Sequence, residues 1–181
     1  MNRCKWITNS KNPTYLKYHD EEWGILNTDE HYLYEMFILE TFQAGLSWEC
    51  ILNKREAFRE SYDNFDIEKV CNYDDNKINK LLSNPNIIRN KLKIKASIKN
   101  SLIYKDIIKE YGSFYNYLSS FNKDKICYEI GKTTNKISDA ISKDLQKRGM
   151  TFVGSVTIYS YLQAVGMINS HEPCCDLYKR I

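Results

Sequence analysis

The clearest hydrophobic rhythm in the chain runs from residue 29 to residue 42. Asp29 stands where an N-cap would accept a backbone N–H, and Leu33, Met36 and Phe37 recur at intervals of three and four, so the spacing predicts a helix with one apolar stripe. Glu40 falls on that stripe. A carboxylate in such a place is either satisfied by structural partners or part of a pocket, because burying it without partner or ligand is costly. Ala44-Gly45-Leu46 then breaks the helix. Ser47 can cap the next one, which carries Trp48 in its first turn and Ile51, Leu52 and Phe58 along its length to about residue 61. Leu46 is left at the turn, where an aliphatic side chain is either tucked back as a hydrophobic staple or presented as a wedge of the kind pushed between DNA base steps.

Residues 1–28 show no comparable period and read as an irregular arm with aromatic anchors at Trp6, Tyr15, Tyr18 and Trp23. Short helices are expected after Asp66 and Asp74, each aspartate serving as an N-cap. The run Leu81-Leu82-Ser83-Asn84-Pro85-Asn86-Ile87-Ile88-Arg89 reads as a helix end, a tight polar turn and a new helix start, continuing to about Tyr111 with Gly112 as its stop. It resembles a helix-hairpin-helix, in which turn amides and the positive end of the second helix bind a DNA phosphate, although any two helices joined by an Asn-Pro turn would match. A short aromatic helix follows Ser113, then a polar loop near residues 122–137. Ser138 opens a helix ended at Gly149, and Ser155 caps a last one bearing Ile158, Tyr159, Leu162, Val165 and Gly166. The final eleven residues are irregular. Strand-like alternation is hard to find, so the expected fold is all-α: a helical bundle with a helix-hairpin-helix element, residues 1–181 forming a single domain with terminal arms at about 1–28 and 170–181.

Composition fits one core: 181 residues with 43% hydrophobic content. The net charge of +3 hides an uneven distribution. Residues 1–76 carry eight Lys/Arg against fifteen Asp/Glu, whereas residues 77–109 carry nine against one. That segment, with Arg89, Lys91, Lys93 and further lysines, has a field suited to a phosphate backbone, although a solvated helix face reads the same. Lys, Asn, Ile and Tyr are abundant throughout, which lowers the weight of any single tyrosine. No apolar stretch has the length of a signal peptide or a membrane span, so the expectation is a cytoplasmic protein that does not touch membranes. Six cysteines there read as thiols or metal ligands. Cys4 and His19 in one arm, with His171 and Cys175 in the other, supply two thiolates and two imidazoles for a tetrahedral zinc, a closed and therefore structural site. The spacing is not that of a compact finger, and Cys174 is a competing thiol. His31, mid-helix and in no motif, reads as ordinary surface.

Several separated segments carry a resemblance. Leu39-Glu40-x-x-Gln43-Ala44-Gly45-Leu46-Ser47-Trp48, Arg3-Cys4-x-Trp6, Tyr18-His19-Asp20-x-Glu22-Trp23-Gly24, Lys147-Arg148-Gly149-Met150-x-Phe152-Val153-Gly154, Gln163-Ala164-x-Gly166 and Asn169-x-His171 resemble 3-methyladenine DNA glycosylase I, in order and over nearly the whole chain. The resemblance implies base-excision repair of double-stranded alkylated DNA; nothing in the sequence suggests more than a monomer or an obligate protein partner. It implies a nucleotide flipped into a pocket of Tyr15, Tyr18, Trp23 and Trp48, with Glu40 binding and polarising the base. It implies Gly45 and Leu46 filling the gap in the duplex, Asn86, Arg89, Lys91 and Lys93 on the phosphates, and a zinc clip for which Cys175 rather than Cys174 has the matching spacing. Family members commonly have glycine in the hairpin turn; Asn86 departs from that, although asparagine tolerates a left-handed conformation. The superfamily's catalytic aspartate and Schiff-base lysine have no counterpart in these motifs, which implies a monofunctional hydrolase. Three other readings stay open: a DNA-binding module without catalysis, a structural zinc protein that binds another protein, and a glycosylase for a different lesion.

Overall fold

The structure of the chain is a computed structural model in which residues 1–123 and 126–179 are described. Two short helices open it, α1 (Lys5–Thr8) and α2 (Pro13–Glu21). Next come α3 (Glu30–Gln43), α4 (Trp48–Leu52) and α5 (Arg55–Ser61), then a left-handed turn at Asp63–Phe65. They are followed by α6 (Ile67–Val70), α7 (Asp75–Ser83), the long α8 (Lys91–Tyr111) and α9 (Phe114–Ser119). A two-residue strand β1 (Cys127–Tyr128) precedes α10 (Lys136–Lys147) and α11 (Ser155–Ala164), and β2 (Ile168–Asn169) pairs with it in parallel. That short ladder is the one departure from helix among the described elements.

Most boundaries obey local capping chemistry. The side chains of Asp29, Ser47, Asp66, Asp74 and Ser113 each accept the backbone N–H that an N-cap should accept, an interaction worth about 1 kcal/mol apiece. Gly112 closes α8 at φ 83°. Four expectations need correction. The N-terminal arm is not irregular: Asn12 caps α2 through the amides of Thr14 and Tyr15, and Pro13 at the first helical position presets φ. Residues 48–61 form two helices, broken at Asn53 and Lys54, instead of one. Asn135, not Ser138, caps α10, with Ser138 completing a reciprocal capping box. Gly154 precedes α11, and the helix ends at Ala164, leaving Gly166 in the following turn. The expected polar loop at 122–137 holds β1 and the start of α10, and its residues 124–125 lie outside the described residues, as do residues 180–181 of the C-terminal arm.

The core forms around α3. All residues from Leu33 to Phe42 are buried, so α3 is a central helix packed on every side and not one with a single apolar stripe. Leu33 is buried in the same core, where Phe37 meets Tyr104, Phe114 and Tyr161 and Phe42 meets Phe58 in tilted and edge-on ring contacts. The N-terminal region is fastened to the end of α11 by backbone hydrogen bonds from Gly24 N to the Gln163 carbonyl (2.9 Å) and from Asn27 N to the Val165 carbonyl (3.1 Å). This approach requires glycine at 166. Its φ is +77°, and a Cβ there would stand 2.1 Å from the Ile25 carbonyl carbon and 2.2 Å from the Leu26 nitrogen. Gly166→Ala is expected to destabilise the protein by roughly 3 kcal/mol or more, since rigid backbone on both sides must separate. Urea unfolding checks this; a loss below about 1 kcal/mol would show that the junction yields easily.

Candidate active site

The central helix carries two buried carboxylates in opposite situations. Glu35, 2% exposed, accepts hydrogen bonds from Arg55 Nε (2.7 Å) and from Arg59 Nε (2.8 Å) and Nη2 (3.1 Å). Arg55 in turn bridges to Glu22. Glu40, 3% exposed, has no such arrangement: its Oε2 has no partner among the described residues. Burial alone holds its carboxyl well above the usual carboxylate range. A native protein keeps few buried polar groups unpartnered, and those it keeps call for an explanation.

Glu40 opens into a cavity of about 180 Å³. That is below the roughly 300 Å³ floor of drug-sized sites and fits one small planar molecule. Helical spacing assembles the lining: Tyr15 and Tyr18 on α2, Glu40 and Gln43 on α3, and Ser160 and Gln163 on α11 are pairs three residues apart, each presenting one helix face. Trp6, Trp23 and Trp48 complete it. The rings form two contacting groups, with centroids 5.0 Å apart for Trp6–Trp23 and 5.4 Å for Trp6–Tyr15 in one, and 5.4 Å for Tyr18–Trp48 in the other. Trp48 Nε1 is a second buried polar atom without a partner. Tyr15, Tyr18, Trp23, Glu40 and Trp48, singled out in the sequence, therefore share one cavity. Trp6, Gln43 and Gln163, which stand in the resembling segments without an assigned site role, join them, as does Ser160, in sequence only a polar interruption of an apolar helix. A larger groove of about 740 Å³ lies behind Tyr18, but its Glu22 and Arg55 are already paired with each other.

The four terminal metal-ligand candidates also converge. Cys4, His19, His171 and Cys175 are buried, and their donor atoms all lie within 4.8 Å of one another. His171 Nδ1 is 3.5 Å from both Cys4 Sγ and Cys175 Sγ, and His19 Nε2 is 3.8 Å from Cys175 Sγ. A tetrahedral ion with ordinary sulfur and nitrogen bond lengths gives S···N edges of about 3.5 Å. The outer nitrogens fix the tautomers. His171 Nε2 donates to the Trp23 carbonyl at 2.8 Å, and His19 Nδ1 donates to Asp20 Oδ1 at 2.9 Å, which leaves the opposite nitrogen of each ring free to ligate. Asp20 is itself held by Arg3 at 2.7 Å, which lowers its pKa. Burial pushes the Cys4 thiol up to about 12 and lowers the pKa of His171, so a cation binding here would displace the Cys4 proton to solvent. The donors and their orientation fit a closed, four-ligand metal site. Cys174 is exposed and outside it. The cluster backs directly onto the cavity: the His171 ring meets the Trp23 ring edge-on at 4.7 Å.

On the basic side, Leu46 is 40% exposed beside Gly45, whose φ is +81°, so it is not a buried staple. Arg89 and Lys91 are exposed around the start of α8. Two readings change. Lys93 is not an exposed cation: it is 7% exposed, and its ammonium donates to the carbonyls of Phe42 (2.8 Å) and Ala44 (2.6 Å). Asn86 is not left-handed; its N–H donates to Asn84 Oδ1 (2.9 Å) and its carbonyl accepts from Lys54 Nζ (3.2 Å). His31 is exposed, as expected, with Nε2 donating to the Asn64 carbonyl. No helix among the described residues is long and apolar enough to cross a membrane.

Comparison with known proteins agrees with this geometry. A family model described as methyladenine glycosylase matches residues 6–179. DNA-3-methyladenine glycosylase 1 of Escherichia coli (strain K12) is 39% identical over 184 residues, covering 98% of this chain and 97% of its own. The DNA-3-methyladenine glycosylase of Haemophilus influenzae is 35% identical over 179 residues, covering 96% of each. Among solved structures, a variant of 3-methyladenine DNA glycosylase I in complex with 3-methyladenine superposes with a TM-score of 0.92 at 33% identity, covering 99% of both chains.

The unpartnered carboxyl has a measurable signature. Its pKa is raised in the folded state, so between the unfolded value near 4.3 and the folded value the native protein binds the extra proton, and stability falls as pH rises. Glu40→Gln is expected to exceed the native protein in stability by about 1–3 kcal/mol at pH 8, with the gap closing toward pH 4. Urea titrations at the two pH values check it; a gap independent of pH would mean that Glu40 is ionised and compensated.

Proposed function

The chain belongs to the methyladenine glycosylase family, whose members act on N-glycosyl bonds, and from that premise we propose that it excises 3-methyladenine from alkylated duplex DNA. In this reading it flips the damaged nucleotide out of the helix, hydrolyses the bond between base and sugar and leaves an abasic site. The observation that carries it is the pairing of Glu40 Oε2 and Trp48 Nε1, two buried polar atoms without partners in one aromatic cavity.

Each element of that cavity has a task in the reaction. An adenine edge offers both hydrogen-bond donors and acceptors, so one base can satisfy both orphaned atoms. Extruding a nucleotide costs a few kcal/mol, least where damage has weakened pairing. Stacking on Trp23, Tyr18 and Trp48 would recover roughly 1–3 kcal/mol per base. A 3-methylated adenine is cationic while joined to its sugar, so those faces add cation–π attraction. Glu40, neutral in the empty cavity, is drawn into its ionised form by the arriving positive charge, which discriminates against the uncharged normal purines. The methyl group has already made the base a good leaving group, so little acid catalysis is required. No lysine lines the cavity among the described residues, which supports simple hydrolysis without a Schiff-base step.

DNA would approach the face that holds Leu46 and the start of α8. The α7–turn–α8 unit resembles a helix-hairpin-helix, with Arg89 and Lys91 supplying sequence-independent phosphate contacts, and Leu46 with Gly45 closing the duplex behind the extruded base. Zinc fits the Cys4, His19, His171 and Cys175 cluster by its preference for thiolate and imidazole in tetrahedral array. It would take no part in the chemistry; it would hold the terminal segments together and keep Trp23 against the cavity.

The native protein is expected to release free 3-methyladenine from methylated duplex DNA, measured by chromatography of the released base. Glu40→Gln and Trp48→Ala should each lose about tenfold or more of the rate. Survival of full activity in both would overturn the pocket, and absence of release by the folded native chain would favour a DNA-binding module. Elemental analysis should find one zinc per chain, and Cys4→Ser should lose it together with several kcal/mol of stability. A metal-free chain of unchanged stability would refute the clip.

A further inference from the structure

Lys93 is the most buried lysine side chain of the basic segment, and what it touches is not a carboxylate. Its ammonium lies at the C-terminal end of α3, where the carbonyls of Phe42 and Ala44 have no continuing helix to bond them and where the helix dipole is negative. The Phe152 ring covers its other side with the centroid 5.8 Å away. Phe152 is held there under strain, at φ +58°. Asn100 clamps the preceding residue through Thr151 O (2.9 Å) and Thr151 N (3.0 Å), and Ser142 Oγ fixes the following one by donating to the Val153 carbonyl (2.7 Å). A strained residue held in place on both sides by its neighbours is characteristic of a positioning device. Lys93 itself sits in the first turn of α8, with Asn90 accepting its backbone N–H.

From this geometry we infer that Lys93 is a positioning residue, which locks the Gly45-Leu46 turn to the DNA-facing start of α8 so that the wedge and the phosphate-binding surface act as one rigid unit. The inference rests on the glycosylase reading. A cation at this place does what a surface lysine cannot. It replaces the missing helical partners of the Phe42 and Ala44 carbonyls, in a turn otherwise closed by the Leu46 N–H donating to the Gln43 carbonyl at 2.6 Å. Without the ammonium, those carbonyls would be orphaned and the turn carrying Leu46 would lose its link to α8. The cost would fall on extrusion from a duplex. Binding of a base in the cavity would be spared.

The test uses the full-length protein and one methylated oligonucleotide, presented as a duplex and as a single strand, together with binding of free 3-methyladenine followed by tryptophan fluorescence. For Lys93→Met, duplex excision is expected to fall by on the order of a hundredfold, as for a displaced functional group. Single-strand excision and free-base affinity should change by less than about threefold, and Lys93→Arg should restore part of the duplex rate. In a Leu46→Ala background, Lys93→Met should add little, because the two act through the same turn. If Lys93→Met does not fold, Lys93→Gln, which keeps one donor for the carbonyls, gives the same comparison. Equal losses on duplex and single strand, a lowered free-base affinity, or additive effects with Leu46→Ala would each overturn the proposal, as would an unchanged duplex rate. A native protein that releases no base from either substrate overturns the glycosylase reading itself.

Discussion

A helix buried on every side leaves its carboxylates two outcomes. They are compensated inside the protein, or they await something that arrives from outside. α3 shows both within two turns. Glu35 is surrounded by Arg55 and Arg59 in a closed network, whereas Glu40 is left without a partner at the wall of a cavity. The rest of the molecule is arranged around that second carboxyl. α2, α4 and α11 supply the aromatic and polar faces that line the cavity beside it, and the junction between residues 24–27 and the end of α11 brings those faces to the same place. In the proposed function, low local dielectric would make the group selective, since an incoming positive charge interacts with it far more strongly than in water.

The terminal cluster belongs to the same arrangement. Trp23 lines the cavity at the end of a chain segment only a few residues beyond α2, and such a short helix has little cooperative stability of its own. Its carbonyl receives the His171 N–H, and its ring rests against the His171 ring. Fixing His171 therefore fixes Trp23. The opening helix α1 is tied in by Cys4, and Trp6 on that helix packs against both Tyr15 and Trp23. The metal-ligand set and the aromatic wall are two sides of one junction, which is why residues from both ends of the chain converge beside a cavity formed mostly by its middle.

The legible and illegible parts of the chain divide along the range of the forces involved. Caps depend on a side chain and an amide two or three residues away, so Asp29, Ser47, Asp66, Asp74 and Ser113 were readable, and Asn12-Pro13 carried the same signal for α2 beneath a run of aromatics. Glu40 stood out because it interrupted an apolar stripe. Glu35, equally buried, did not, because its partners Arg55 and Arg59 lie on another helix and nothing local marks them. Ser160 gains meaning only when α11 is placed against α3, and Gln163, part of a resembling segment, gains its place in the cavity the same way. The reading of Lys93 as a phosphate contact came from charge density, and charge density says nothing about which lysine turns inward; the carbonyls it binds are 49 and 51 residues away.

Lys93 and Glu40 also illustrate how differently two buried charges can be used. The lysine has its partners at all times: two carbonyl oxygens and an aromatic face. It serves geometry, and burial lowers its pKa. The glutamate has none, and in the proposed function its charged form would be stabilised by a cationic base in the cavity. In the same reading a wedge and a phosphate-binding helix have to be aligned before DNA arrives, so the group that aligns them would be permanently satisfied. A recognition group gains selectivity from the opposite condition. If Glu40 were paired like Glu35, a neutral purine and a cationic one would meet nearly the same field, and the discrimination between undamaged and alkylated bases would fall to shape alone.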